Sequence, residues 1–271
     1  MGKRQSRPWT VSGELWSLIE PLLPEPGPKL VAGRPRVPDR HALCGILFVL
    51  HTGIQWEYLP QELGFGSRMT CWRRLAAWNE AGVWEKLHLM LLKKLRSAKQ
   101  LDWSRAVMDS PTCGRPAGPK SGPSPVDRAR PGSTHHVLVD GQGIPLAVSL
   151  TGGNRNDVTH LIPLLDKVPS VAGVVGRPRR RPDVLFADRG YDHDKYRRLL
   201  WKRGIRPAIA ERGLPHGSGL GSFRWVVERT ISWLHGFRRL RIRWERRGDI
   251  HEAFLGLATC LITHRHVQRL C

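Results

Sequence analysis

The sequence predicts an α/β protein, a mixed sheet with flanking helices, preceded by an all-helical N-terminal domain. Three observations carry that expectation. Residues 1–100 place apolar side chains at three- and four-residue spacing, the helical period. Near Gln100 the composition shifts to short β-like runs. The order beyond it is three strands, helix, strand, helix, strand, helix, which is an α/β order with mixed strand directions. The expected domains are therefore 1–100 and 101–271.

In the first domain, "SGELWSLIEPLL" has Ser12 as N-cap and Leu15, Trp16, Ile19 and Leu22 on one face. "PDRHALCGILFVLHTG" starts a helix at Asp39, carries Leu43, Ile46, Leu47 and Leu50 at helical spacing, and stops at Gly53. "YLPQELGFGSRMTCWRRLAAWNEAG" gives a short helix, a turn at Gly64-Phe65-Gly66, and a longer helix capped by Ser67. That helix is expected to turn Arg68, Thr70, Arg73, Arg74 and Asn79 outward and Trp72, Leu75 and Trp78 inward. A helix, a tight turn and an Arg-bearing helix form a helix-turn-helix-like pattern, whose second helix enters the major groove. An ordinary helical hairpin with a solvated basic face fits the same segment.

In the second domain, "RAVMDS" (105–110), "THHVLVDGQG" (134–143) and "IPLAVSLTGG" (144–153) read as strands, with Asp140-Gly141 as a hairpin turn. A helix at "DVTHLIPLLDKV", the strand "DVLFAD", the helix "DKYRRLLWKRG" and the short strand "RPAIA" follow. Two helices, one over 223–239 and one over "HEAFLGLATCLITHRHV", close the chain. The Pro/Gly-rich stretches 111–133 and 176–182 read as loops, and there is no internal repeat.

The 271 residues are 40% hydrophobic, which excludes wholesale disorder. Against 23 Asp+Glu stand 44 Lys+Arg, a formal charge of +21, and 34 of those cations are Arg. Arg grips phosphate with two parallel hydrogen bonds, so the excess points to a polyanionic partner, nucleic acid first. A generally Arg-rich coding sequence is the alternative. No apolar run approaches the ~20 residues that span a bilayer, and the basic N-terminus lacks a secretory apolar segment. The expectation is a cytoplasmic, nucleoid-associated protein without membrane contact. Five widely spaced cysteines form neither a Cys-x-x-Cys nor a Cys/His zinc pattern, as expected of reduced thiols.

Asp109 ends "AVMD" and Asp188 ends "VLFAD". On neighbouring strands the two carboxylates project at one sheet edge, where α/β ligands bind; each alone reads equally as a turn cap. In "GSFRWVVERTISWLHGFRRLRIRW", Arg224, Glu228 and His235 fall within about 40° of one another on a helix. The arc of Trp225, Val227, Ile231, Trp233, Leu234 and Phe237 lies beside that stripe, which puts Glu228 at the rim of the buried face. A surface Arg224–Glu228 pair, worth a few tenths of a kcal/mol, is the alternative. Three converging carboxylates have the hard-oxygen character that suits Mg²⁺. Two such ions about 3.5–4 Å apart promote phosphodiester cleavage. Among rival acids, Asp140 is assigned to its turn, Asp157 to the helix it begins, and Asp192 and Asp194 to the next helix. His135 and His136, adjacent on a strand, should face opposite ways, one in and one out, and so share no metal.

The motifs resemble those of bacterial insertion-sequence transposases of the DDE type, in the insertion-sequence-five group, over nearly the whole chain. "MDS" (108–110) resembles the first-aspartate motif, "ADRGYD" (187–192) the second, and "RWVVERTISWLHGFRRLR" (224–241) the third. The resemblance implies a ribonuclease-H-like fold in which Asp109, Asp188 and Glu228, 79 and 40 residues apart, are catalytic and hold two Mg²⁺ ions, with Mn²⁺ as a substitute. It implies cleavage at element ends and joining of the 3′-hydroxyls to target DNA. The implied partners are double-stranded DNA, as terminal inverted repeats and target, and further copies in a homodimeric or larger synaptic complex. The family's last helix reads Tyr-x2-Arg-x3-Glu-x6-Lys; here Arg224 and Glu228 match, Gly221 replaces the Tyr and His235 the Lys. Arg224 and His235, with Arg68, Arg73 and Arg74 and the loop residues Arg179, Arg180 and Arg181, are the expected DNA contacts. A catalytically inactive transposase-derived DNA-binding protein and a ribonuclease-H-like nuclease without strand transfer are the alternatives. Gly190 is expected to permit a sharp turn beneath Asp188, with Tyr191 packed to hold it.

Overall fold

A computed structural model describes residues 7–27, 35–114, 119–123, 128–213 and 221–270. Residues 1–6, 28–34 and 214–220, the 115–118 and 124–127 parts of the Pro/Gly-rich loop, and Cys271 lie outside the described residues.

The strands are β1 (Arg105–Asp109), β2 (Thr112–Gly114), β3 (Gly122–Pro123), β4 (Pro131–Asp140), β5 (Pro145–Gly152), β6 (Val184–Ala187) and β7 (Arg206–Ile209). The five longer ones run β5-β4-β1-β6-β7 across one sheet. β4 is antiparallel to β5 and β1, whereas β6 is parallel to β1 and β7 to β6. An antiparallel three-strand meander continued by two parallel strands is the ribonuclease-H-like order. β2 and β3, which add to β4, fall in a stretch read as irregular from the sequence.

The hairpin between β4 and β5 is held by Asp140. Its buried carboxylate accepts the backbone N–H groups of Asp102, Gln142 and Ile144 at 2.8–2.9 Å, and burial pushes its carboxyl up to about 7. The turn assignment of this acid therefore stands.

Both faces of the sheet are covered. α5 (Leu161–Lys167) and α6 (Asp194–Trp201) cover one, and α7 (Gly221–Gly236) and α9 (Gly248–Gln268), joined through α8 (Arg238–Arg241), the other. His135 and His136 are both fully buried for that reason, not one in and one out. His135 stacks on His251 of α9, and His136 stacks on His160 on the opposite face.

α1 (Gly13–Ile19) is capped by Ser12 and α3 (Arg68–Glu80) by Ser67, each hydroxyl accepting a backbone N–H at 3.1 Å. α2 (Asp39–Thr52) ends at Gly53 in the left-handed region. The short helix expected before Gly64 consists of two three-residue 3₁₀ turns, Trp56–Tyr58 and Gln61–Leu63, so fifteen residues separate α2 from α3. α4 (Val83–Ser97), not singled out in the sequence, buries Leu87, Leu91, Leu92 and Leu95 along α9. α9 is apolar around most of its circumference because it lies between these helices and the sheet. One continuous core runs from Val11 to Val267 across the composition boundary at Gln100. Among the described residues, no helix is long and apolar enough to cross a membrane.

Candidate active site

β1 is a central strand with Ala106, Val107 and Met108 wholly buried, and it emerges from the core at Asp109. β6 is its parallel neighbour, in a register that pairs Val107 with Phe186. Continued by two residues, that register sets Asp109 beside Asp188 at the carboxyl ends of both strands, one strand spacing of about 4.8 Å apart along the backbone. α7 crosses β6, β1 and β4 on one face. Its buried side is Val226, Val227, Thr230 and Leu234, and Phe237, just beyond its end, is buried too. Trp225, expected inside, is half exposed and, with Trp233, sandwiches the Arg229 guanidinium at 4.6 and 4.8 Å. Glu228 is exposed beside Val227, at the rim.

The local interactions orient these acids. Asp109 accepts the Ser110 N–H at 2.8 Å through Oδ1, and its Oδ2 lies 3.5 Å from the Arg224 guanidinium. Arg224 thus pairs with Asp109 and not, among the described residues, with Glu228. Burial pushes the Asp109 carboxyl up, opposed by the Ser110 N–H and Arg224, while the charges of Asp188 and Glu228 push it further up. Asp188 caps a 3₁₀ turn, Arg189–Tyr191, by accepting the Gly190 N–H at 2.8 Å. Gly190 does not have a positive φ; a Cβ there would meet Asp188 Oδ1 at 3.0 Å, so close approach is what favours glycine. Tyr191 is buried and hydrogen-bonds to Ser110, as packing beneath the turn requires.

Two features were not foreseen. Ser110 Oγ also lies 2.7 Å from His136 Nδ1, and His136 Nε2 lies 2.7 Å from Thr151 Oγ1, so a buried polar chain braces the residue after Asp109. Asp157 is the second. It does begin a helical turn, as expected, and the cap of that turn is Asn156, whose side chain accepts the Val158 N–H. The 3₁₀ turn Asp157–His160 packs on Arg189–Tyr191. Burial, then the charges of Asp188 and Asp109, push the Asp157 carboxyl up to about 6. Asp157 is a fourth acid of this edge.

A family model described as "Transposase DDE domain" matches residues 107–263. The chain belongs to that DDE transposase family. A second model, "Putative transposase of IS4/5 family", matches residues 11–88 of the transposase. It is 58% identical over 165 residues to "Putative transposase for insertion sequence element IS402" of Burkholderia cepacia, covering 61% of this chain and 77% of that one. It is 57% identical over 102 residues to "Insertion element IS402 uncharacterized 16.2 kDa protein" of the same organism, covering 37% and 69%. Among solved structures, the Mos1 strand transfer complex aligns over 90% of this chain and 79% of that one, at 12% identity and a TM-score of 0.35, too loose a likeness to bear on the fold.

The transposase does not present all of its expected DNA contacts in the same way. Arg68 and Arg73 are exposed on α3. Arg74, expected outward, turns in: it forms an ion pair with Asp39 and donates to the Val37 carbonyl at 2.8 Å. Asn79, also expected outward, donates to the Asp249 carbonyl at 3.4 Å. Arg179, Arg180 and Arg181 lie in the segment that leads into the start of β6, the opposite end of the strand from Asp188. Arg179 pairs with Asp183, Arg180 donates to Val168 and Asp166 carbonyls, and Arg181 donates to the Arg203 carbonyl at 3.2 Å. This triplet pins a loop and is remote from the carboxylate edge. His235 is half-buried on α7, its ring centroid 6.4 Å from that of His135, and burial followed by Arg241 lowers its affinity for a proton.

Proposed function

We propose that this transposase cuts phosphodiester bonds at the ends of an insertion sequence and joins the freed 3′-hydroxyls to target DNA, with Asp109, Asp188 and Glu228 as the catalytic carboxylates. The observation that carries this reading is the joint placement of two strand-end aspartates and a helix-rim glutamate, with Asp109 responding to the charge of both partners. The donor set fits divalent cations: its oxygens are hard ligands, and like charges half-removed from water repel unless a cation lies among them. Asp109, Asp188 and Glu228 would hold two Mg²⁺ ions, with Mn²⁺ as a substitute. When bound, such ions supply an activated attacking oxygen and a stabilised leaving oxygen.

The chain's own groups do the positioning. The Ser110 N–H fixes one oxygen of Asp109, and the Gly190 N–H fixes one of Asp188. Arg224, 3.5 Å from Asp109, is placed to bind a phosphate oxygen of DNA arriving at the same edge. Arg68 and Arg73 on α3 are the proposed grip of the N-terminal domain, residues 1–100, on the terminal inverted repeats, and His235 a further contact beyond Glu228. The proposed setting is a dimeric or larger synaptic complex in a cytoplasmic, nucleoid-associated protein.

The test uses the full chain with duplexes carrying the inverted repeats that flank its reading frame. Cleavage at the repeat boundary in Mg²⁺, followed by joined strand-transfer products, is the expected result. Binding without nicking would reduce the protein to a DNA-holding one, and nicking without joining would make it a nuclease.

A further inference from the structure

Away from the carboxylate edge, three other metal-ligating side chains meet in the interior. Cys113 comes from β2, His135 from β4 and His251 from α9; all three are buried, and one donor atom of each lies within 4.8 Å of the other two. Cys113 Sγ is 3.5 Å from His135 Nε2, and His135 Nε2 is 2.8 Å from His251 Nε2. Spacings of 22 and 116 residues hide this set from any local motif.

The geometry is close to that of a tetrahedral thiolate–imidazole site. With a metal–sulfur bond of about 2.3 Å and metal–nitrogen bonds of about 2.0–2.1 Å, the sulfur–nitrogen edge is about 3.5 Å and the nitrogen–nitrogen edge about 3.3 Å. The first edge is already present; the second needs an opening of about half an ångström. Behind His251, Nδ1 faces Glu245 Oε2 at 3.7 Å, and among the described residues neither atom has a closer hydrogen-bond partner. Glu245 is itself held by Arg239. A carboxylate behind an imidazole is the usual support of a metal-binding histidine, because it fixes the proton on the far nitrogen. Burial pushes the Cys113 thiol up to about 11, and the guanidinium of Arg243, buried with its bonds to Ser133 and to the Pro119 and Lys120 carbonyls, acts against that rise.

We propose that Cys113, His135 and His251 together bind one thiophilic closed-shell metal ion, Zn²⁺ or Cu⁺, which staples β2 and β4 to α9. The ion enters as the Cys113 thiol proton leaves. Cu⁺ then exchanges for that proton without changing the buried charge and suits three ligands, whereas Zn²⁺ adds one positive charge and calls for a fourth donor. This site shares no ligand with the carboxylate edge, so it stands or falls separately from the proposed strand transfer.

Because the donors are buried, loading accompanies folding. The full chain is therefore expressed in medium supplemented with zinc, copper or cobalt, purified in Mg²⁺ buffer without chelator, and assayed for bound metal. The expected result is about one equivalent of zinc or of copper per chain, retained through dialysis, with the two arms identifying the ion. Cobalt-grown protein should show a thiolate-to-metal charge-transfer absorption. Cys113→Ser and His251→Gln should lose the metal, and Asp188→Asn should keep it. Substoichiometric metal in all three arms, in a wild-type chain folded by circular dichroism, would overturn the proposal. Retention unchanged by Cys113→Ser would overturn it too. Should both variants fail to fold, the wild-type thiolate-to-metal charge-transfer absorption decides alone, and its absence from both the cobalt-grown and the copper-grown protein rejects the site.

Discussion

Asp188 uses one oxygen to cap the turn beneath it and stands across a parallel register from Asp109. Replacing it with Asn keeps a similar shape and a cap acceptor but removes a metal-binding charge. Asp188→Asn should abolish cleavage in Mg²⁺ while binding end duplexes at least as tightly as wild type, since a negative charge leaves the DNA face. Wild-type cleavage by this variant would sink the carboxylate assignment. Asp157 gives a second residue-scale test. Its folded carboxyl is raised to about 6, above the ordinary value near 3.9, so ionisation costs the folded state more than the unfolded. That penalty is absent below about pH 4, grows through the interval and is full above about pH 6. In EDTA at pH 8, Asp157→Asn should therefore stabilise the chain, by about 1–2 kcal/mol after discounting for partial exposure. Urea titrations at pH 8 and pH 4 check this; an equal gain at both would reject the electrostatic cause. Asp157 was not legible as a site residue because its sequence context offers a cap role, and only the packing of two 3₁₀ turns brings it to the edge.

The exposed cations of α3 and its inward-turned Arg74 separate two consequences of one helix. Arg68→Ala with Arg73→Ala should weaken DNA binding and flatten its salt dependence, the slope falling by about 0.9 for each phosphate no longer neutralised, with little change in melting temperature. Arg74→Ala should do the reverse: it leaves Asp39 to Arg36 alone and removes the bond to the Val37 carbonyl, and should cost about 1–2 kcal/mol of stability. Filter binding at several salt concentrations, beside thermal melts, distinguishes them; weaker binding at unchanged stability in Arg74→Ala would return that residue to the DNA face. Helical periodicity was enough to place α2 and α3, because caps and apolar stripes are local. It could not tell Arg73 from Arg74, since the difference lies in a partner 35 residues away. The same reason hid the anchoring of Arg180 and Arg181, to carbonyls 12 to 22 residues away, and the meeting of His135 with His251. Strand order and the strand-end aspartates were legible because apolar runs, turn residues and their alternation with helices are written along the chain.

At the scale of the whole molecule, buried titratable groups set an acid limit. His51, His88 and His266 are held down to about 4 and His136 to about 3, in each case first by burial. Their unfolded forms take up protons below about pH 6.5, so stability present above that pH is lost as it falls toward 4. Asp140 and Asp157, raised to about 7 and about 6, act in the opposite direction. At pH 5 these four histidines and two aspartates together give a net uptake on unfolding on the order of two protons, a loss of about 2–3 kcal/mol per pH unit, to which the likewise lowered His160, His235 and His264 add. Urea midpoints between pH 7 and 4.5 measure this slope, and a flat profile would contradict it. The continuous core has another result, one of timing. α4 ends at Ser97, yet the face it buries belongs to α9, which begins at Gly248. At ~5–20 residues per second, the ribosome needs about 8–30 s to make the chain between them. The helices made first must wait, their leucines uncovered, for the helix made last, so a nascent chain halted before Gly248 should be open to proteases along its whole length and offer a chaperone its earliest binding site.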